Sequence, residues 1–158
     1  ALEIGQGLII PGGVKPYVPK RVVATTAASV PAPTDAKVGS GRFVWPMSGS
    51  ISQGCWSGHV AIDIAAKSGT PIAAADSGYV AVLQSSRSGY GNMIVIDHGN
   101  GYQTRYAHLS AFYVEAGQSV GRGDTVGLCG STGNSTGPHL HFEVIVNGVR
   151  YNPFNYLP

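Results

Sequence analysis

The sequence predicts a mainly β protein with little helix, and three observations carry that reading. Glycine (23 residues) and proline (10) punctuate a chain of 158 residues, and turn signals recur about every ten residues from Arg42 onward. The apolar content is rich in valine and isoleucine, whose branched side chains suit a pleated surface better than a helix. The run His139-Leu140-His141-Phe142-Glu143-Val144 alternates with a period of two, so one face carries imidazoles and a carboxylate while the other is apolar. Length fits one ordinary domain with a short appendage. Charged residues make up 11% and the formal net charge is +2, which leaves no dedicated nucleic-acid surface and no acidic tail. No run approaches the ~18 apolar residues of a membrane span. A basic start with an apolar stretch is also missing at the N-terminus, but Ala1 is no initiator methionine and the chain reads as trimmed.

Residues 1–13 hold Leu2-Glu3-Ile4-Gly5-Gln6-Gly7-Leu8-Ile9-Ile10-Pro11-Gly12, too short to fold alone. This stretch resembles the closing strand of a LysM module, a small glycan-binding unit, and the resemblance implies a longer protein with peptidoglycan- or chitin-holding modules upstream. Residues 14–41 carry Pro16, Pro19, Pro31 and Pro33 without either period and read as a linker. The domain then spans 42–158. Phe43-Val44-Trp45-Pro46 opens it as a first strand and Ser50-Ile51-Ser52-Gln53 begins a second. Residues 69–80 and 117–126 are faintly alike, as two copies of one β-hairpin would be. Strands over 93–97 and 102–108 flank His98-Gly99-Asn100-Gly101, where Asn100-Gly101 is a hairpin signal. In the second of these strands Thr104, Tyr106 and His108 fall on one face. The hydroxyl- and glycine-rich stretch 131–138 is a loop that feeds the His139-Leu140-His141 strand.

Five histidines are present: His59, His98, His108, His139 and His141. A catalytic zinc takes three protein ligands and leaves a position open. His59 and Asp63, four apart, share a face of an extended segment, and His139 and His141 share a face of their strand. Together they supply a His, an Asp and another His, with imidazoles to spare. Taken alone, the His139/His141 pair also fits a surface strand with two solvated rings. Glu143 shares their face and either orients a ligand or forms a rim ion pair. His98, at the mouth of a turn, reads as an exposed loop residue, Asp97 and Asp124 as turn residues, and Tyr106 and Phe142 as core or cleft wall. Cys55 and Cys129 are compatible with one disulfide or with two separate thiols, and their spacing is not that of a zinc CxxC pair.

Gly58-His59-Val60-Ala61-Ile62-Asp63-Ile64, Tyr106-Ala107-His108-Leu109, and Gly130-Ser131-Thr132-Gly133 through His139-Leu140-His141-Phe142-Glu143 resemble, in order and spacing, three signatures of the M23 peptidases. These are the lysostaphin- and LytM-like zinc endopeptidases that cut peptide cross-bridges in bacterial cell walls. Tyr151-Asn152-Pro153-Phe154 resembles the family's closing segment. The resemblance implies an antiparallel β-sandwich of the lysostaphin type, built on a duplicated hybrid motif. It implies Zn2+ held by His59, Asp63 and His141, with His108 and His139 as catalytic histidines that are not ligands. It also implies peptidoglycan as partner and an extracytoplasmic site of action; the oligomeric state is left open, with a monomer favoured. Ala61 stands where the family's signature has glycine, and Trp56 is the only aromatic shortly before His59, where some members carry a tyrosine. Loops 84–91 and 131–138 are expected to set specificity. Two other classes remain open at this point. One is a non-catalytic LytM-like module that binds and activates a cell-wall amidase; the other is a β-sandwich carrier, which leaves His59 and Asp63 unexplained.

Overall fold

The computed structural model describes residues 29–158; the LysM-like stretch 1–13 and the linker up to residue 28 lie outside the described residues. Eleven strands follow in chain order: β1 Ser50–Gln53, β2 Ile62–Ala65, β3 Pro71–Ala73, β4 Gly78–Gln84, β5 Met93–Asp97, β6 Tyr102–Ala107, β7 Leu109–Phe112, β8 Ser119–Val120, β9 Thr125–Cys129, β10 His139–Val146 and β11 Val149–Tyr151. A single 3-10 turn, Pro153–Asn155, follows them. The larger sheet runs β1-β2-β10-β6-β5-β4-β8 with β11 on β10, and the smaller one runs β3-β9-β7. Every pairing is antiparallel. Ile62, Ile64, Ile94, Phe142 and Val144 of the larger sheet and Ile72, Leu109 and Val126 of the smaller one belong to one buried cluster. The expected antiparallel β-sandwich is therefore what the chain forms.

On β10 the alternation is carried out in full. Leu140, Phe142 and Val144 are buried in the core, while His139, His141 and Glu143 face away from the smaller sheet. The Asn100-Gly101 hairpin forms between β5 and β6, with Gly99 and Gly101 at φ 71° and 87°.

Three expectations are corrected. Phe43-Val44-Trp45-Pro46 is not a strand and joins no ladder. Pro46 has no N–H to donate, and the segment is held by single bonds, Val44 N–H to the Ala75 carbonyl (2.8 Å) and Ala73 N–H to the Pro46 carbonyl (2.8 Å). The similar stretches 69–80 and 117–126 are not two separate hairpins. They exchange strands, β3 pairing with β9 and β4 with β8. His98 is not exposed but fully buried, because Phe43 packs on it (5.4 Å between ring centroids) and the 39–41 segment closes over it through Gly39 N–H to the His98 carbonyl (2.7 Å).

Residues 30–35 are tied to the β4/β8 edge. Val30 N–H donates to the Ala81 carbonyl and Ser119 Oγ to the Asp35 carbonyl, both at 2.8 Å. Cys55 and Cys129 are free thiols, and Cys129 is buried in the core.

Around His98 the polar groups form a one-way chain. Ala75 N–H donates to the Tyr106 hydroxyl (2.9 Å), which lies 2.8 Å from Thr104 Oγ1, itself 2.9 Å from His98 Nε2. His98 Nδ1 then donates to the Ser77 carbonyl at 2.7 Å. A neutral imidazole, with Nδ1 donating and Nε2 accepting from Thr104, satisfies every member of this chain, and burial holds His98 below its usual range despite the Ser77 carbonyl and the nearby Asp76 and Asp97. The unfolded chain takes up this proton near the ordinary histidine value of 6.5 and the folded chain only at lower pH. Stability from this site is thus complete above that value and is lost as pH falls through the folded one. In thermal unfolding from about pH 8 to about pH 5, wild type should lose its advantage over His98→Gln as the solution becomes acidic.

Candidate functional site

The site is built on β2, β10 and the end of β6, on the face of the larger sheet turned away from the core. Asp63 stands directly opposite His141, and Ala107 flanks His141 on its other side. His59 precedes β2 rather than lying on it. The chain folds back at 56–59, with Trp56 N–H to the His59 carbonyl (3.0 Å) and His59 N–H to the Trp56 carbonyl (2.8 Å). The Trp56 ring lies directly over Gly58, where a Cβ would come within 2.2 Å of it.

His108 departs from the predicted face. Thr104 and Tyr106 point into the core, but the chain leaves β6 for β7 of the other sheet at His108, whose φ is +66°. This conformation is uncommon for a non-glycine residue. It breaks the strand alternation and turns the ring toward His139 and His141, at centroid distances of 4.7 and 5.9 Å. All five residues singled out by sequence, His59, Asp63, His108, His139 and His141, consequently line one cleft of about 400 Å³.

Each imidazole is tied on its outer side. His59 Nδ1 donates to the Gly54 carbonyl (3.1 Å), His108 Nδ1 to the Thr132 carbonyl (2.7 Å) and His139 Nδ1 to the Gly137 carbonyl (2.8 Å). His141 is held the other way round, with Nε2 donating to Glu143 Oε1 at 3.0 Å. In the neutral rings the inward nitrogen is then the one with the lone pair.

His59 Nε2, Asp63 Oδ1 and His141 Nδ1 converge, with separations of 3.2, 2.9 and 3.3 Å. Three acceptors this close repel one another unless a positive charge lies among them. That charge is a proton or a metal ion. Burial alone would lower the His141 pKa, but the hydrogen bonds to Asp63 and Glu143 outweigh it and raise it to about 9. Burial works against the ionised Asp63 as well, yet His141, His59 and His139 hold its carboxyl below the usual range. Two imidazoles and a carboxylate around an open side are the donor set of a catalytic zinc, and among the described residues these three form a group able to hold a metal ion. The donor set therefore fits zinc. The Ala61 methyl is buried and displaces none of them.

Beneath these three groups lies a carboxylate that shares their face, as the alternation on β10 predicts. Glu143 is not a rim residue but fully buried. Besides His141 it receives the Tyr90 hydroxyl (2.8 Å) and Arg105 NH1 (2.7 Å), and Arg150 NH1 lies 3.5 Å away. Burial would raise its carboxyl, but His141, Arg105 and Tyr90 keep it below the usual range and hence ionised. Tyr90 and Arg105 were not foreseen, and Arg105 also stacks over the Tyr90 ring at 4.8 Å. The glycines on either side of Tyr90 were the available signal. Gly91 (φ +64°) and Gly133 (φ +72°) let loops 84–91 and 131–138 touch backbone to backbone, with Asn134 N–H donating to the Gly89 carbonyl at 2.8 Å.

The model of peptidase family M23 matches residues 57–153. DD-carboxypeptidase/endopeptidase Mpg of Neisseria meningitidis is 49% identical over 98 residues, 62% of this chain and 22% of Mpg. This chain thus spans only a small part of that relative. The catalytic domain of lysostaphin from Staphylococcus simulans superposes with a TM-score of 0.59 at 34% identity, over 70% of this chain and 87% of that one. A zinc-containing peptidase from Vibrio cholerae gives 0.59 at 33%, over 82% of this chain and 39% of the other.

If Glu143 orients and polarises His141, Glu143→Gln should keep the fold and weaken zinc affinity about tenfold, the lower end of what such outer carboxylates contribute. Competition against a chromophoric chelator measures it.

Proposed function

Because the chain belongs to peptidase family M23, we propose that it is a zinc-dependent endopeptidase that hydrolyses peptide bonds in the stem peptides or cross-bridges of peptidoglycan. The observation that carries this reading is the convergence of His59 Nε2, Asp63 Oδ1 and His141 Nδ1, with the His108 and His139 rings beside them. The names of its relatives, a DD-carboxypeptidase/endopeptidase and lysostaphin, support the substrate class, and the zinc-containing neighbour supports the metal. The non-catalytic alternative is not favoured, since no ligand or catalytic histidine is missing.

In this reading His59, Asp63 and His141 hold the ion. Zinc supplies Lewis acidity toward the scissile carbonyl and brings water near ionisation at neutral pH. Burial holds the His108 imidazole below its usual range, so at pH 7 it is neutral and its Nε2 is free to take a proton from the attacking water. The resulting imidazolium can return that proton to the leaving amine. His139 Nε2, 3.8 Å from Asp63 Oδ2, is the partner for the developing oxyanion when it carries a proton. Asn134, Ser135, Thr136 and Tyr90 line the cleft with uncharged groups for the peptide. The enzyme acts outside the cytoplasm, where peptidoglycan lies. The hydrolase occupies 42–158, joined through 14–41 to residues 1–13, the end of a LysM-like glycan-binding module. No helix among the described residues is long and apolar enough to cross a membrane.

His141→Ala or Asp63→Ala should abolish both zinc retention and the release of dye from labelled cell walls. His108→Ala and His139→Ala should retain zinc while turnover drops by about 10²–10⁴, the usual contribution of a positioned acid-base group. Wall lysis by a metal-free His141→Ala protein would refute the mechanism, and mass spectrometry of the released muropeptides identifies the bond cut.

A further inference from the structure

Asp63 offers two oxygens, and only Oδ1 points to His59 and His141. The other has a partner that the metal site itself does not supply. In the amide orientation that satisfies both neighbours, the Gln53 side-chain nitrogen donates to Asp63 Oδ2 at 3.1 Å, and its oxygen accepts from Trp56 Nε1 at 3.0 Å.

The strand arranges this by breaking its own register. Ser50 pairs with Ala65 and Ile51 with Ile64, so an unbroken ladder would set Ser52 opposite Asp63. A slip between Ile51 and Gln53 instead sets Gln53 there. One extra residue in one strand re-aims a side chain to the other face, and here the side chain re-aimed is the one that reaches the carboxylate. Ser52 is left to donate its hydroxyl to the Asp63 carbonyl, at 3.3 Å. The outer anchor is also built. Trp56 is 57% exposed, but its ring lies against Gly58 in the same turn that delivers His59.

We propose that Gln53 is a positioning residue for Asp63. Its amide, fixed by the Trp56 indole, occupies Oδ2, holds the carboxylate plane and leaves Oδ1 as the single oxygen directed at the ion. This rests on the zinc-peptidase reading above. A carboxylate without that bond can rotate or offer both oxygens, which loosens the geometry on which affinity and turnover depend.

The test uses the whole chain. Gln53→Met keeps the length and removes the amide; Trp56→Phe keeps the ring over Gly58 and removes the N–H. Chelator competition should give zinc binding weakened about 10–100-fold in Gln53→Met, the range for outer partners of metal ligands. Trp56→Phe should move in the same direction by less. The melting temperature of the metal-free protein should stay put, and kcat should fall with KM unchanged. In a Trp45→Phe background, where Trp56 is the only tryptophan, zinc should shift the indole emission, and Gln53→Met should abolish the shift. Unchanged zinc affinity in Gln53→Met overturns the proposal and leaves the peptidase reading intact. A change in KM alone also overturns it, since Gln53 would then be a substrate contact. A lowered metal-free melting temperature in Gln53→Met, with no effect of Trp56→Phe on affinity, marks a fold defect and overturns it too. A wild-type chain that takes up no zinc overturns the reading beneath, and this proposal with it.

Discussion

The register of β10 is the constraint from which the site follows. That strand is paired on both edges, with β2 and with β6, and its two faces have opposite needs. Leu140, Phe142 and Val144 are buried in the core, each contributing roughly 1.5–3 kcal/mol by leaving water. A slip of one residue would send all three to solvent and drive His139, His141 and Glu143 into the hydrocarbon interior. The packing energy that holds the sheets together therefore also fixes His141 opposite Asp63. The geometry of the polar face is a by-product of apolar burial on the other side.

Given that frame, the site is set by its outward hydrogen bonds more than by the groups that meet in the cleft. Three carbonyls and one carboxylate each take an N–H from an imidazole, so the four rings present acceptors inward. The buried Glu143 is kept ionised by Tyr90 and Arg105, and it raises the electron density of His141. Carbonyls at Gly54, Thr132 and Gly137 come from turns and loops, which places three of the four ring anchors on segments with no regular structure. It also explains why loops 84–91 and 131–138 are laced together at Gly89, Gly91 and Gly133: movement there would be felt at His108 and His139.

Much of this was legible in the sequence. The period of two over 139–144 foretold which residues face the cleft, and the ordered motifs foretold that His59, Asp63 and His108 would join them. What could not be read has physical causes. His108 reaches the site through a left-handed backbone, which a histidine adopts only because the chain must change sheets there, and no local pattern encodes that change. His98 looks like a turn residue, and its burial depends on Phe43 and on a segment some sixty positions upstream in the chain folding over it, as Gly39 does. The resemblance between 69–80 and 117–126 was correctly seen, but pairing within each copy is the local solution and the protein uses the non-local one. Tyr90 and Gln53 carry no signature as types; only register and loop contact give them a role.

The exchange of strands between those two stretches also sets an order of assembly. β3 finds its partner only when β9 exists, β4 pairs locally with β5 but gains its second neighbour only with β8, and Asp63 meets His141 across 78 positions of sequence. Contacts of such separation form late and cooperatively, after most of the chain is available. During synthesis, then, the half that carries His59 and Asp63 has neither a complete sheet nor His141 opposite Asp63. A site laid out this way is incomplete until nearly the last strand is in place, so the topology acts as a latch on its assembly.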